Sequence, residues 1–400
     1  MTQPLDREER AATQTSLQTS LRPLIGLTYY CGILPVWSGP KELGSVRSTL
    51  LRTAVSMAMG LQLAVVLFQF VQLRIQFAEN HSIHSIAFNL LWLAPFLAGL
   101  VLHVLYASRA PALCRLFHDW QQIEVDPLPV RSKSRIRWIR GTLYGLALTL
   151  TTISTISIVS IMNEQPQASY LLTYYPWFRG PGMYPWTVGF TLLAVLYQKI
   201  VRAMSDLVPS LFYYHVSFTA QNLILRIESL TFWTVVDAER PKVFQPQLQS
   251  IRSDYNRLRK CVARANELFG PVMICGQSLK FGLIVLLTFK MVYGLANSSP
   301  FVPYLVNLMF VSYELMSSVL LISRLKDTVG VLRGAYADFV VDLWPSLTAD
   351  EKAAAVAFSD ELQEERLAVR PSNFYTVQPE LLLAMLGLVT TYTIILLQSK

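Results

Sequence analysis

Residues 381–399 read Leu-Leu-Leu-Ala-Met-Leu-Gly-Leu-Val-Thr-Thr-Tyr-Thr-Ile-Ile-Leu-Leu-Gln-Ser, without an Asp, Glu, Lys or Arg. A helix rises about 1.5 Å per residue and needs about 20 apolar residues to cross the hydrocarbon core of a bilayer. The stretch therefore reads as a membrane span. The same test finds charge-free runs at 53–73, 80–108, 141–163 and 180–198, and two apolar runs with few charges at 271–296 and 303–323. The reading is an all-α membrane protein of seven transmembrane helices, near 53–73, 85–108, 141–163, 181–200, 271–296, 303–323 and 378–399. The stretch 207–225 also lacks formal charges, but it holds Pro209, Ser210, His215, Ser217, Thr219, Gln221 and Asn222. It is not counted as a span, because those polar groups are costly in lipid.

Composition agrees. Of 400 residues, 52% are hydrophobic and only 15% charged, against about 25% charged in a soluble domain. Mean hydropathy is +0.38. This excludes a disordered chain, a disulfide scaffold and most soluble enzymes. The net charge of +8 comes from basic residues between the apolar runs, not from one patch interleaved with aromatics, so no nucleic-acid partner is expected. With the N-terminus cytoplasmic, 29 Lys and Arg fall in inner segments and 3 (Arg74, Arg179 and Lys400) in outer ones. The positive-inside rule then places the C-terminus outside the cell. The four cysteines fall at inner positions, where no disulfide is expected. The two Asn-x-Ser/Thr sequons, at Asn80 and Asn297, fall in outer loops and are candidate glycosylation sites.

There is no internal repeat, so 1–400 is one membrane domain, with cytosolic helical anchor pieces at about 201–269 and 324–373. Within the first, Leu248, Ile251, Tyr255, Leu258, Val262, Ala265 and Phe269 recur at spacings of three and four. That stripe either packs on the rest of the chain or meets another subunit. A second helix is expected over 349–367, opened by Thr348 with Asp350 and Glu351 in its first turn.

Catalytic motifs are missing. There is no phosphate loop, nucleophile elbow, HExxH or dinucleotide fingerprint. His81 and His84 have no third ligand nearby, so no metal and no cofactor are expected, and the chain does not read as an enzyme. Polar residues in the spans are more informative. The third span carries Thr152 and Thr155 among the seven Ser and Thr hydroxyls from Thr149 to Ser160. These either bond back to their own helix or line an outward-opening ligand pocket with Trp92, Phe96 and Tyr304. Lys280 and Glu314 fall at the same depth, about nine residues from the inner face. An isolated charge there costs several kcal/mol, so the two are expected to pair.

Thr391-Tyr392, five further residues and Gln398 resemble the signature that closes insect gustatory receptors. Glu380–Val389 resembles that family's last helix, and Tyr30-Cys31-Gly32-Ile33-Leu34-Pro35 its approach to the first span. Topology extends the resemblance over essentially the whole chain. It implies a tastant-gated non-selective cation channel in the plasma membrane of taste neurons, assembled as a homo- or heterotetramer with other gustatory receptors and surrounded by lipid. Sugar receptors of the family carry Glu directly after the Thr-Tyr pair. Thr393 stands there, which favours a non-sugar, bitter-type ligand. Ser399 replaces the usual Phe. In a fourfold assembly Thr391, Ile395 and Gln398, which share one helix face with Leu388, would line the pore unless that face packs within its own subunit. A related odorant receptor would share this design. A G-protein-coupled receptor would need the opposite orientation. A transporter would show repeats that are absent.

The orientation has a direct check. An epitope tag after Lys400 should stain on unpermeabilised cells, and a tag before Met1 only after permeabilisation. The reverse pattern would overturn the charge argument.

Overall fold

The computed structural model describes residues 83–123, 184–236, 240–296, 301–363 and 367–398, with scattered helical positions between 53 and 74 and between 141 and 153. Among the described residues the chain is helical throughout. Six α-helices carry the architecture: α1 (Ile83–Ile123), α2 (Tyr184–Val236), α3 (Arg240–Ala296), α4 (Val302–Leu343), α5 (Ala349–Gln363) and α6 (Glu380–Gln398). By length and composition, four segments among the described residues could each cross a membrane: Leu93–Trp120, Pro246–Ala296, Val302–Ser346 and Glu380–Gln398.

α3 is the axis of the bundle. Its 57 residues make a helix about 85 Å long, packed against α1, α2, α4, the turn at Pro371–Asn373 and α6. The stripe from Leu248 to Phe269 is buried over its whole length within this one chain, so the intramolecular reading of that heptad pattern is the one the structure adopts. Tyr255 packs edge-on against Phe358 of α5 at 5.5 Å, and Phe358 in turn meets Tyr336 of α4 at 4.8 Å. Phe269 meets Phe212 and Tyr213 of α2 at 5.6 and 6.2 Å. Offset and edge-on rings of this kind add to the area they bury.

α2 runs without a break through 207–225, the stretch not counted as a span. Its polar groups lie on the packed side of the helix: Ser210, Ser217 and His215 are buried, and Ser217 donates to the Tyr214 carbonyl at 2.7 Å. These residues are thus shielded by neighbouring helices, which is why a stretch too polar to face lipid forms one continuous helix with the expected fourth span.

α5 starts where Thr348 predicts, and the start is a capping box. The Thr348 backbone N–H and hydroxyl donate to Glu351 at 2.8 Å each, and the Glu351 N–H returns to the Thr348 hydroxyl at 3.4 Å. Arg252 of α3 forks onto Glu361 of α5, with Nε 3.2 Å from both carboxylate oxygens. That guanidinium holds the Glu361 carboxyl below the usual range.

The segment between α5 and α6 is tied to α3 through Asn266. Its side-chain oxygen accepts from the Tyr213 hydroxyl at 2.8 Å and from the Arg370 N–H at 3.3 Å, and its amide donates to the Ala368 carbonyl at 3.0 Å. One turn further along α3, Gly270 lets the returning chain come close. A Cβ there would lie 2.3 Å from the Ser372 backbone nitrogen, and Ser372 and Asn373 both take left-handed conformations, φ 47° and 60°. The Tyr375 hydroxyl then donates to Gln277, and Lys326 of α4 donates to Gln378 at 2.8 Å. Gly270→Ala should therefore cost about 1–3 kcal/mol, read as a lower thermal midpoint of the purified protein. Gly282→Ala, where a Cβ meets nothing within 4 Å, is the control. Equal midpoints for the two variants would contradict the close approach.

Candidate functional site

The level of the bundle where α2, α3 and α4 cross holds two ion pairs whose four charged side chains are each at most 10% exposed. Arg202 and Asp206 stand one turn apart on α2. Arg202 meets Glu314 of α4 at 3.1 Å, and Asp206 pairs with Lys280 of α3. Lys280 has no exposed surface, and Arg202 is 4% exposed. Phe310, one turn from Glu314, receives the Lys199 ammonium and the Arg202 guanidinium at 5.2 Å each from its ring centre, an arrangement that helps hold desolvated cations. Gly276 of α3 leaves room beside this group, where a Cβ would sit 3.4 Å from Asp206 Oδ1.

Lys280 and Glu314 do belong to one cluster, but they are not each other's ion-pair partner. The direct pair expected from the sequence is replaced by two pairs, each using an opposite charge from α2. Span counting puts Arg202 and Asp206 in an inner segment just beyond the fourth span, whereas the structure buries both. A usable signal exists: between Asp206 and Arg226 the sequence is free of formal charge, so the apolar environment continues past them.

Among the described residues, the face of α6 singled out in the sequence is left uncovered. Thr391, Ile395 and Gln398 are exposed, and so is Leu388. The side packed on α3 carries Val389 and Thr393, the two buried residues of the helix. Tyr392 lies at the margin, edge-on to Phe281 at 6.2 Å. None of the described residues packs over the Thr391–Ile395–Gln398 face. The Thr391 hydroxyl donates to the Gly387 carbonyl at 3.0 Å, which satisfies it within the helix.

Of the candidate pocket residues, Phe96 is buried in α1. Tyr304 is half-buried against the small cluster of Leu283, Leu287, Phe310 and Val311. Thr152 is exposed and spends its hydroxyl on the Leu148 carbonyl at 2.9 Å, as its back-bonding reading expects. Trp92 lies in α1, with its side chain outside the described residues. Thr155, Asn80 and Asn297 also lie outside them. Among the described residues no three His, Cys, Asp or Glu converge on a metal-sized site. Among the described residues, Cys114, Cys261 and Cys275 form no disulfide.

Two comparisons bear on this arrangement. Residues 21–400 match a protein-family model described as 7tm Chemosensory receptor. Among solved structures, the insect olfactory receptor OR5 from Machilis hrabei superposes with a TM-score of 0.76 at 17% identity, over 96% of this chain and 99% of that one. The structure of OR5 in complex with eugenol gives 0.76 at 16% identity over the same shares. No curated protein sequence matches the chain.

The two-pair geometry makes a quantitative prediction. Removing one partner of a buried ion pair costs about 3–5 kcal/mol, while replacing both with apolar residues is often near neutral. Lys280→Met and Asp206→Leu should each lower the thermal midpoint sharply, and the double variant should recover most of the loss. Arg202→Met with Glu314→Leu should behave alike, and Lys280→Met with Glu314→Leu should not. If the first two doubles lose the sum of their singles, the pairs do not exist in solution.

Proposed function

The chain belongs to the 7tm chemosensory receptor family, and from that premise we propose that it is a gustatory receptor: a tastant-gated, non-selective cation channel of the plasma membrane. The observation that carries this reading is the bare face of α6. A helix whose Thr391, Ile395 and Gln398 side is left open by the described residues, and whose sequence carries the Thr391-Tyr392…Gln398 signature, is suited to stand beside copies of itself around an axis. Four such helices would set Ile395 as an apolar constriction that closes by dewetting, with Gln398 as an uncharged polar ring at the mouth. Amide dipoles without a fixed charge admit monovalent cations with little discrimination.

Olfactory receptors share the fold, so the fold does not separate taste from smell. The closing signature favours taste, and Thr393 after the Thr-Tyr pair favours a non-sugar ligand. The ligand would enter an outward-opening pocket near Phe96 and Tyr304, among α1, α3 and α4. Binding there would favour the state in which the α6 helices splay. One series of contacts joins α2 to the base of α6: Tyr213 of α2 holds Asn266 of α3, Asn266 holds 368–370, and that segment leads into α6.

Expressed alone or with a partner receptor, the protein should give a current to members of a panel of bitter compounds, sugars and amines, with no G protein required. Gln398→Glu should raise divalent-cation permeability or block, and Ile395→Ala should raise basal current severalfold. If both variants reach the surface and conduct like the parent, α6 does not line the pore.

A further inference from the structure

On the inner side of the bundle, α3 and the last turns of α1 enclose an open cavity of about 480 Å³, within the size range of small-molecule sites. Its walls are unlike the rest of the packed surface. α3 contributes Arg257, Lys260 and Arg264, spaced three and four residues apart on one face. α1 contributes Leu116 and Ile123 as an apolar wall, and Asp119 as the cavity's one carboxylate. Asp119 holds Arg264 at 2.5 Å. Arg257 stands 4.0 Å from Asp254, at the limit of an ion pair, and Lys260 is exposed. Among the described residues three cations thus face one anion, with Arg264 paired to Asp119 and Arg257 only at the limit of a pair with Asp254.

Depth narrows the ligand. If the fifth span begins near 271, Arg264, Lys260 and Arg257 lie about 10, 16 and 21 Å below it along α3. The headgroup layer adds only about 5–8 Å beyond each face of the hydrocarbon core. The three cations therefore lie just beyond the glycerol and phosphate level of the headgroup layer and reach further from the membrane. A lipid with a single phosphate next to its glycerol cannot reach all three cations. Clustered phosphates carried farther out can, and basic pockets on the cytoplasmic side of membrane helices suit them.

We propose that this cavity is a binding site for a group bearing clustered phosphate monoesters, held by Arg257, Lys260 and Arg264 and opposed by Asp119. Arginine supplies planar paired donors for a phosphate, and lysine a point charge. The phosphates can come from an inositol lipid headgroup or from a soluble polyphosphate. Asp119 sets the affinity, because any phosphate on Arg264 must compete with it.

Binding is measured on the purified full-length protein with two probes: phosphatidylcholine vesicles containing phosphatidylinositol 4,5-bisphosphate, and free inositol hexakisphosphate. The parent should bind at least one of them, more weakly as salt rises. Vesicle binding alone assigns the lipid as the source, and binding of both means that the soluble group suffices. Arg257→Gln with Lys260→Gln should weaken binding about tenfold or more. Arg115→Gln, which removes an exposed charge from α1 outside the cavity, should change it less than about twofold. Asp119→Asn should strengthen binding severalfold, a gain that a folding defect does not produce. Should the double variant fold poorly, Lys260→Gln alone, at an exposed position, carries the loss arm. If neither probe binds the parent, if Arg115→Gln weakens binding as much as the cavity variants, or if Asp119→Asn weakens it, the site does not exist.

Discussion

The apolar edge of α3 from Leu248 to Phe269 has to be covered, and covering it sets the arrangement of the other helices. Seven residues at helical spacing present one continuous stripe, and each is 5% exposed or less. α2, α4 and α5 reach it with rings of their own: Phe212 and Tyr213, Tyr336, and Phe358. Because α3 continues beyond Phe269 as an apolar helix, the helices that cover its inner half are also positioned along its outer half. One rigid element therefore aligns the packed inner region with the part of the bundle read as crossing the membrane.

Where α2 crosses α3 and α4, the same alignment brings four charges together. Hydrophobic side chains would serve packing there at least as well, since a buried pair gains little over an apolar replacement. What the charges add is register. Arg202 meets Glu314 and Asp206 meets Lys280 at one height of α2 relative to both partners, and a slip of one turn would break both pairs. The unpaired alternative is so costly in a dry environment that the arrangement behaves as a lock on height.

α6 contrasts with the rest. It touches α3 with a narrow face and buries only Val389 and Thr393. The helix with the fewest buried residues among the six described is thus the one proposed to line the pore, as expected of an element that moves. Its connection to the bundle is firmer at its base, where Asn266, the close approach at Gly270 and the Tyr375–Gln277 contact fix the segment that precedes it. An element anchored at one end and loosely packed along its length can swing.

Sequence alone determined the features that depend only on composition and period. Runs without charge marked helices for lipid, basic residues set the expected orientation, and spacings of three and four marked both the α3 stripe and the shared face of Thr391, Ile395 and Gln398. Thr348 marked the start of α5. These are local properties, legible because one helix face is defined by its own residues. Tertiary structure decided everything that depends on a partner from elsewhere in the chain. The spacing of the α3 stripe is equally compatible with a contact to another subunit, and only the placement of Phe358 and Tyr336 against it makes the contact internal. Lys280 and Glu314 each need an opposite charge, as their depth implies, but which charge they meet is set by the height of α2, and no spacing within α3 or α4 encodes that. Gly270 looks like any other glycine until Ser372 arrives a hundred residues later to occupy the space a side chain would need.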